Sequence, residues 1–236
     1  MIARRLGNRW LAGVVPEGLV FDLDAGNPAS YPGTGNIWYD LSGNGYNGTL
    51  TNGVTYSSNN HGIFVFDGTN DYVDAGFASA VRSASVTSEI WIKFSVSQSS
   101  KSIMGVHSNS PGGCSLGIHD LSANRIKFHT NSLGSNNGNG ILGTAQLNNN
   151  AWHCITGTYH GPTKTMKLYV DNVLDKTLGN VAVPVYPSDK NLNVGRWVGG
   201  ASQYFNGSIA ICRIYNRVLS EPEILRNYNA VKDRYI

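Results

Sequence analysis

Between Ala151 and Asp171 the chain reads AWHCITGTYHGPTKTMKLYVD, an apolar run, a turn containing Gly161 and Pro162, and a second run that alternates strictly. Met166, Leu168 and Val170 fall on one side of that second run, Lys167, Tyr169 and Asp171 on the other. A period of two on either side of a Gly-Pro turn specifies an antiparallel hairpin with one buried face. A chain built around such a hairpin is held to sheet architecture, and its composition agrees. Of 236 residues, 28 are glycine and 26 asparagine, so turn formers are abundant. Charged residues make up 14%, against a globular norm of about 25%. The 41% of hydrophobic residues supplies a sizeable core. Many short strands joined by tight turns in one all-β domain is the expectation.

The first strand is expected at Gly18–Leu23, followed by a Pro/Gly-rich loop over 27–36. Ile63–Asp67 and Tyr72–Asp74 flank the turn Gly68-Thr69-Asn70. In SVTSEIWIKFSV, Val86, Ile90, Ile92, Phe94 and Val96 share the core face of a long strand, with Glu89, Trp91, Lys93 and Ser95 opposite. Further strands are expected at 102–107, 114–119, 124–130, 152–160, 165–171, 191–196 and 207–215. NSLGSNNGNG at 131–140 is a low-complexity loop, and no fixed period marks a solenoid or propeller. One helix is specified. Ser220 and Glu223 form a capping box, Leu219 and Ile224 a hydrophobic staple, and Pro222 is tolerated in the first turn. Ile224, Leu225, Tyr228 and Val231 form its apolar stripe, leaving Arg226, Lys232 and Arg234 in water.

Four segments resemble laminin G-like domains of the concanavalin A-like lectin/glucanase superfamily. They are WYDLSGNGYNGTL (Trp38 to Leu50), FVFDGTNDYVD (Phe64 to Asp74), the hairpin opening at Trp152-His153, and YFNGSIAICRIYNRVLSEPEILRNYNA (Tyr204 to Ala230). They occur in the order of the family pattern and span about residues 18 to 230. The closing NYNAVKDRY is also similar to laminin G-like modules in structural proteins of tailed phages. The resemblance implies an all-β, concanavalin A-like jelly-roll sandwich of two antiparallel sheets with one short C-terminal helix. It also implies a domain that binds rather than transforms.

The chemistry legible in the residues agrees with that. Glycosidases on this sandwich need two carboxylates flanking the bond, about 5–5.5 Å apart for retention. Here Glu89-Ile90-Trp91-Ile92-Lys93 offers one Glu, with Trp and Lys where partner acids should alternate. Glu17, Glu221 and Glu223 lie at the extremities. No G-x-S-x-G elbow exists, and the six histidines, His119 and His129 among them, show no triad spacing. No catalytic residue is expected. Asp40-x-Ser42-x-Asn44-Gly45 copies the first half of an oxygen loop for Ca2+. Position twelve is Thr51 rather than Glu, so the loop is no EF-hand and needs Asp67 or Asp71 from elsewhere. The alternative is an Asx-type turn. Trp91, Tyr169, Trp197 and Tyr204 are candidates for stacking on sugars, each weighed against a place in the core. Basic-aromatic interleaving for nucleic acid stops at Arg196-Trp197.

The net charge of +3 equals the contribution of Arg4, Arg5 and Arg9, which precede any acid. With Leu6, Trp10 and Leu11 they form a basic, apolar arm over residues 1–15, ahead of a laminin G-like domain over 16–236. The arm's apolar run is too short for a signal peptide, and no segment approaches the ~20 apolar residues of a membrane span. Cys114, Cys154 and Cys212 are odd in number and far apart, which specifies reduced core thiols and synthesis in a host cytoplasm. Taken with the resemblance to phage modules, these features lead to the expectation of a non-enzymatic virion surface protein. Its arm is expected to dock on a phage capsid or tail protein and its sandwich to face outward toward host-surface polysaccharide, with Ca2+ as the one candidate cofactor and a homo-oligomer compatible. A free or cell-associated carbohydrate-binding module is the alternative, and a polysaccharide hydrolase or lyase the third.

Overall fold

The computed structural model describes residues 13–106, 113–118, 124–130, 140–197 and 203–236. The arm residues Arg4, Arg5, Leu6, Arg9, Trp10 and Leu11 lie outside the described residues. The early strands are β1 (Leu19–Asp24), β2 (Ile37–Trp38), β3 (Gly48–Thr51), β4 (Thr55–Ser57), β5 (Ile63–Asp67) and β6 (Tyr72–Asp74). Next come β7 (Val86–Lys93), β8 (Lys101–Val106), β9 (Ser115–Ile118), β10 (Arg125–His129) and β11 (Gly140–Gln146). The last are β12 (Trp152–His160), β13 (Thr165–Val170), β14 (Val173–Leu178), β15 (Leu192–Val194) and β16 (Asn206–Tyr215), followed by helix α1 (Glu221–Val231).

The first sheet has the order β14-β13-β12-β7-β16-β5-β4, with β1 also paired to β16. The second has the order β11-β10-β9-β8-β15-β6-β3-β2. All pairings are antiparallel, so this is the jelly-roll sandwich expected from the sequence. The hairpin joins β12 to β13 with Gly157 opposite Leu168 and Tyr159 opposite Met166. Between the sheets, Ile90, Ile92, Met166 and Leu168 of the first meet Val73, Met104, Phe128 and Val194 of the second in one buried cluster. A Cβ on Gly157 would stand 2.6 Å from the Phe128 ring, so the absence of a side chain lets the two sheets meet there. Where edge strands β11 and β14 face each other, the Asp175 carboxylate accepts the backbone N–H of Thr144 at 2.8 Å and also its hydroxyl. That contact occupies an otherwise open edge.

The outer face of the first sheet departs from simple alternation. Glu89 and Trp91 stand opposite Ile90 and Ile92 as expected, yet both are fully buried. Helix α1 and the C-terminus cover them: Trp91 stacks on Tyr228 at 5.5 Å and packs on Tyr235 at 4.7 Å between ring centroids. Tyr169 is likewise buried with Val15, Tyr215, Leu219 and Ile224. The capping box of Ser220 and Glu223 is formed, and Leu219 and Ile224 are both buried as the staple requires. The helix stripe is corrected in one respect. Leu225 is exposed, and Asn227 is the buried residue between Ile224 and Val231. Arg234 is also not in water, since its guanidinium forks onto both oxygens of Asp24 at 2.9 Å. Val14 and Val15, assigned to the arm by the sequence, are buried against the helix instead. Arg226 Nε donates to the Gly13 carbonyl at 2.6 Å, and the Val15 N–H to Asn227 Oδ1 at 2.9 Å.

Beneath the helix lies a buried ion network. Arg213 donates through Nε to Asp22 Oδ1 at 3.0 Å and through Nη1 to Glu89 Oε1 at 2.8 Å. Asn227 Nδ2 donates to Glu89 Oε2 at 3.1 Å and to the Tyr215 hydroxyl at 2.9 Å. One cation between two buried carboxylates leaves an excess negative charge in a medium that penalises it. Burial accordingly pushes Asp22 up to about 6, against the pull of Arg213. Its folded value lies above the unfolded one, so the folded state holds a proton that the unfolded chain lacks between those values. This contribution is complete below the unfolded value of about 4 and is lost as pH rises through about 6. Melting temperature is expected to rise from pH 7 to pH 4.5 relative to Asp22→Asn, which carries no titrating group at this position. Parallel curves for the two proteins would show that Asp22 stays ionised throughout.

Candidate functional site

Side chains on the outward face of the second sheet follow from its register. Leu50, Val73, Leu192 and Val194 point into the core, so Thr49, Thr51, Tyr72, Asp74 and Asn193 point away from it. Thr51 stands opposite Tyr72, Thr49 opposite Asp74, and Asp74 opposite Asn193. Beyond β15 the alternation is broken by Gly195, which has φ +83°. A Cβ there would stand 2.7 Å from Phe66, so glycine is required both for the left-handed backbone and for the close approach. The extra residue turns Arg196 back to the outward face, where it bridges to Tyr204.

Arg196, Tyr72 and Tyr204 form the centre of this face. The Arg196 guanidinium lies 3.5 Å from the Tyr72 ring centroid, and the Tyr72 and Tyr204 rings are 6.5 Å apart. Nε of Arg196 donates to Asn193 Oδ1 at 2.9 Å. Asn193 is itself oriented by its Nδ2, which donates to the Asn191 carbonyl at 3.0 Å. Asp74 accepts from the Gly76 N–H at 2.8 Å and from Asn191 Nδ2 at 2.9 Å. Next to this cluster an open groove of about 520 Å³ runs between Tyr46, Asn47, Thr49, Thr51, Asp74 and Phe77. Phe77 is half exposed, with the Arg82 guanidinium 4.0 Å above its ring. Aromatic rings beside amides, hydroxyls and a fixed carboxylate can stack on a sugar ring and bond its hydroxyls.

The four aromatic residues predicted from sequence divide evenly. Trp91 and Tyr169 are buried under α1, and the Tyr169 hydroxyl donates to Glu221 Oε1 at 3.2 Å, so neither presents a ring to a ligand. Tyr204 lies in the outward cluster, and Trp197, partly buried, follows Arg196 with its N–H donating to the Gln203 carbonyl. Sequence reasoning missed Tyr72, Phe77 and Asn193 and used Arg196 only as a nucleic-acid cue. The signal for Tyr72 was present: in Tyr72–Asp74 the core residue is Val73, which puts Tyr72 outward beside Asp74. Glu89, the one strand glutamate, is fully buried and bonded by Arg213 and Asn227.

The Asp40 loop is a built turn. Oδ1 of Asp40 accepts the N–H groups of Asp22 and Ser42 at 2.9 and 3.0 Å, and Oδ2 the Ser42 hydroxyl and the Tyr46 N–H at 2.7 and 3.1 Å. These four bonds use the four acceptor positions of a carboxylate. Asn44 points its amide nitrogen, a donor, at the Val20 carbonyl and Ser42. Asp67 and Asp71 sit on the β5–β6 turn, where Asp67 Oδ1 accepts the Thr69 N–H at 2.7 Å and Asp71 Oδ2 the Asp67 N–H at 3.0 Å. Backbone N–H donors hold Asp67 below the usual carboxylate range, whereas burial raises Asp71. Among the described residues no group of three or more His, Cys, Asp or Glu side chains gathers around a common point. The loop residues do not fit a calcium ion; they fit the Asx-type turn. Chelator is therefore expected to leave the melting temperature unchanged, while Asp40→Ala lowers it. A chelator-induced drop that Asp40→Ala removes would instead make the loop a metal site.

A profile of laminin G type, described as the concanavalin A-like lectin/glucanases superfamily, matches residues 67–225. The chain belongs to this superfamily. No curated protein matches it. Among solved structures, the binding domain of Paraclostridial Mosquitocidal Protein 1 superposes with a TM-score of 0.68 at 16% identity, over 90% of this chain and 52% of that one. Domain 4 of AbnA, a GH43 extracellular arabinanase from Geobacillus stearothermophilus, in complex with arabinotriose, gives 0.67 at 15% identity, over 90% of this chain and 98% of that one. The receptor binding domain of botulinum neurotoxin C/D mosaic serotype gives 0.64 at 19% identity, over 91% and 52%. This concanavalin A-like chain thus spans about half the length of the toxin binding domains and nearly the whole arabinanase domain. Among the described residues no helix is long and apolar enough to cross a membrane.

Proposed function

We propose that this concanavalin A-like domain is a non-enzymatic saccharide-binding module, displayed on the surface of a phage particle. The observation that carries the binding reading is the division between the two outer faces. The face of the first sheet is covered by α1, whereas that of the second carries Tyr72, Tyr204 and Arg196 beside an open polar groove. Absence of catalysis is supported by Glu89, whose oxygens are spent on Arg213 and Asn227 out of contact with solvent. In affinity electrophoresis through neutral and acidic polysaccharides, Tyr72→Ala and Tyr204→Ala are expected to weaken retention about 10-fold, since truncating an aromatic anchor of a binding surface costs more than about 1 kcal/mol. No reducing ends should be released. Retention unaffected by both substitutions would place binding elsewhere, and hydrolysis lost in Glu89→Gln would replace the module with an enzyme.

Display on a particle is supported by the likeness of the closing segment to phage structural modules and by the charge of Arg4, Arg5 and Arg9. Gly13 and Val15 are held by Arg226 and Asn227 of α1, on the side away from the saccharide face. A particle bound through the preceding residues would leave that face outward. Removing residues 1–12 is expected to leave the melting temperature within a few degrees and to abolish co-sedimentation with particles, and replacing the three arginines should weaken it in a salt-dependent way. Normal occupancy by the truncated protein would move docking to the sandwich.

A further inference from the structure

The centre of the saccharide face holds an arginine whose donors are unevenly used, and this points to the charge of the ligand. Nε of Arg196 is committed to Asn193 Oδ1 at 2.9 Å, and that oxygen is identified because the same amide donates through Nδ2 to the Asn191 carbonyl. The guanidinium plane is fixed against Tyr72, 3.5 Å from the ring centroid. Among the described residues Arg196 makes no ion pair, and its hydrogen bond runs from Nε alone. The buried Arg213 differs, its donors divided between two carboxylates. With Nε spent and the plane held by stacking, the remaining Nη1 and Nη2 edge is a rigid two-pronged donor. Its partner of matching shape is a planar carboxylate taken end-on through two parallel N–H···O bonds.

Asp74, opposite Asn193 on the neighbouring strand, is already bonded by Asn191 and the Gly76 N–H, 2.8 Å from the latter.

On the reading of this face as a saccharide site, we infer that Arg196 selects carboxylated sugars, uronic acids foremost, by gripping the sugar carboxylate with its Nη1/Nη2 fork while Tyr72 and Tyr204 support the ring. The test uses the full chain and three probes: polygalacturonate, the same polymer after reduction of its carboxyls to alcohols, and dextran sulfate. Wild-type protein is expected to bind polygalacturonate at least about 10-fold more tightly than the reduced polymer, the ordinary value of a charge-assisted pair. Arg196→Lys keeps the charge but loses the fork, so it should lose most of that preference. Its loss of affinity for polygalacturonate should exceed its loss for the reduced polymer by about 10-fold, whereas a merely structural role for Arg196 would weaken both alike. Unchanged circular dichroism and melting temperature in Arg196→Lys confirm that the loss is local. Equal binding of native and reduced polymer overturns the assignment of Arg196 and leaves the saccharide site standing. Dextran sulfate binding as tightly as polygalacturonate, indifferent to Arg196→Lys, reduces the preference to general charge attraction and overturns it too. Binding of none of the probes, here or in the wider polysaccharide series, overturns both.

Discussion

One guanidinium, that of Arg213, bonds two buried carboxylates from neighbouring strands, and the organisation of the first sheet depends on it. Asp22 comes from β1 and Glu89 from β7, the two neighbours of Arg213 on β16. Each charge would be costly alone in a region without water, and removing one member of such a set leaves another unpaired, at a general cost of about 3–5 kcal/mol. Glu89 also accepts from Asn227, which ties helix α1 to the network, and Asn227 in turn holds the backbone of Val15. Arg234 and Asp24 repeat the device at the end of the chain. The helix is thereby fixed over polar groups that apolar packing alone would not orient, and Trp91, Tyr228 and Tyr235 fill the space around them.

This use of the first sheet decides where a ligand can lie. A strand buried on both faces has no side chain left for an external partner, so the acid that resembled a catalytic glutamate and the indole that resembled a sugar platform are both structural. Among the described residues no helix lies over Tyr72, Asp74 and Thr51 of the second sheet, and these three remain partly exposed beside the groove. The same residue type serves opposite ends on the two sheets. Arg213 is fully buried and pairs internally; Arg196 is held by one amide and one ring with its end free among the described residues. The proposed binding surface is what the fold leaves uncovered.

Much of the fold was legible. Strict alternation in the β13 run, the turn Gly68-Thr69-Asn70, the core positions Val86, Ile90, Ile92 and Phe94 and the Ser220/Glu223 cap all describe local geometry and were found where their residues placed them; the expected strand ran on to Val96, but β7 ends at Lys93 and Val96 is exposed. The site was less legible. Tyr204 and Trp197 were identified among aromatic residues of equal standing with Trp91 and Tyr169, and no local pattern separated the partly exposed pair from the buried one. Leu225 and Arg234 were misplaced for the same reason. Periodicity states which residues share a face, but not what covers that face.

The sequence by itself therefore determined the architecture: two antiparallel sheets, the phase of their core strands, and one capped helix. The strand phases and the helix follow from φ/ψ preference, side-chain alternation and turn chemistry, all of which act over a few residues, whereas the two-sheet sandwich is what the laminin G-like resemblance implied. Tertiary structure alone decided that α1 lies on the first sheet over Glu89 and Trp91, because that placement depends on Asn227, Arg213 and Asp22, brought together from positions as far as 205 residues apart in sequence, the separation of Asp22 and Asn227. It also decided that Tyr72, Arg196 and Tyr204 meet, since β6 and β15 become neighbours only when the sheet closes and Gly195 turns the next residue outward.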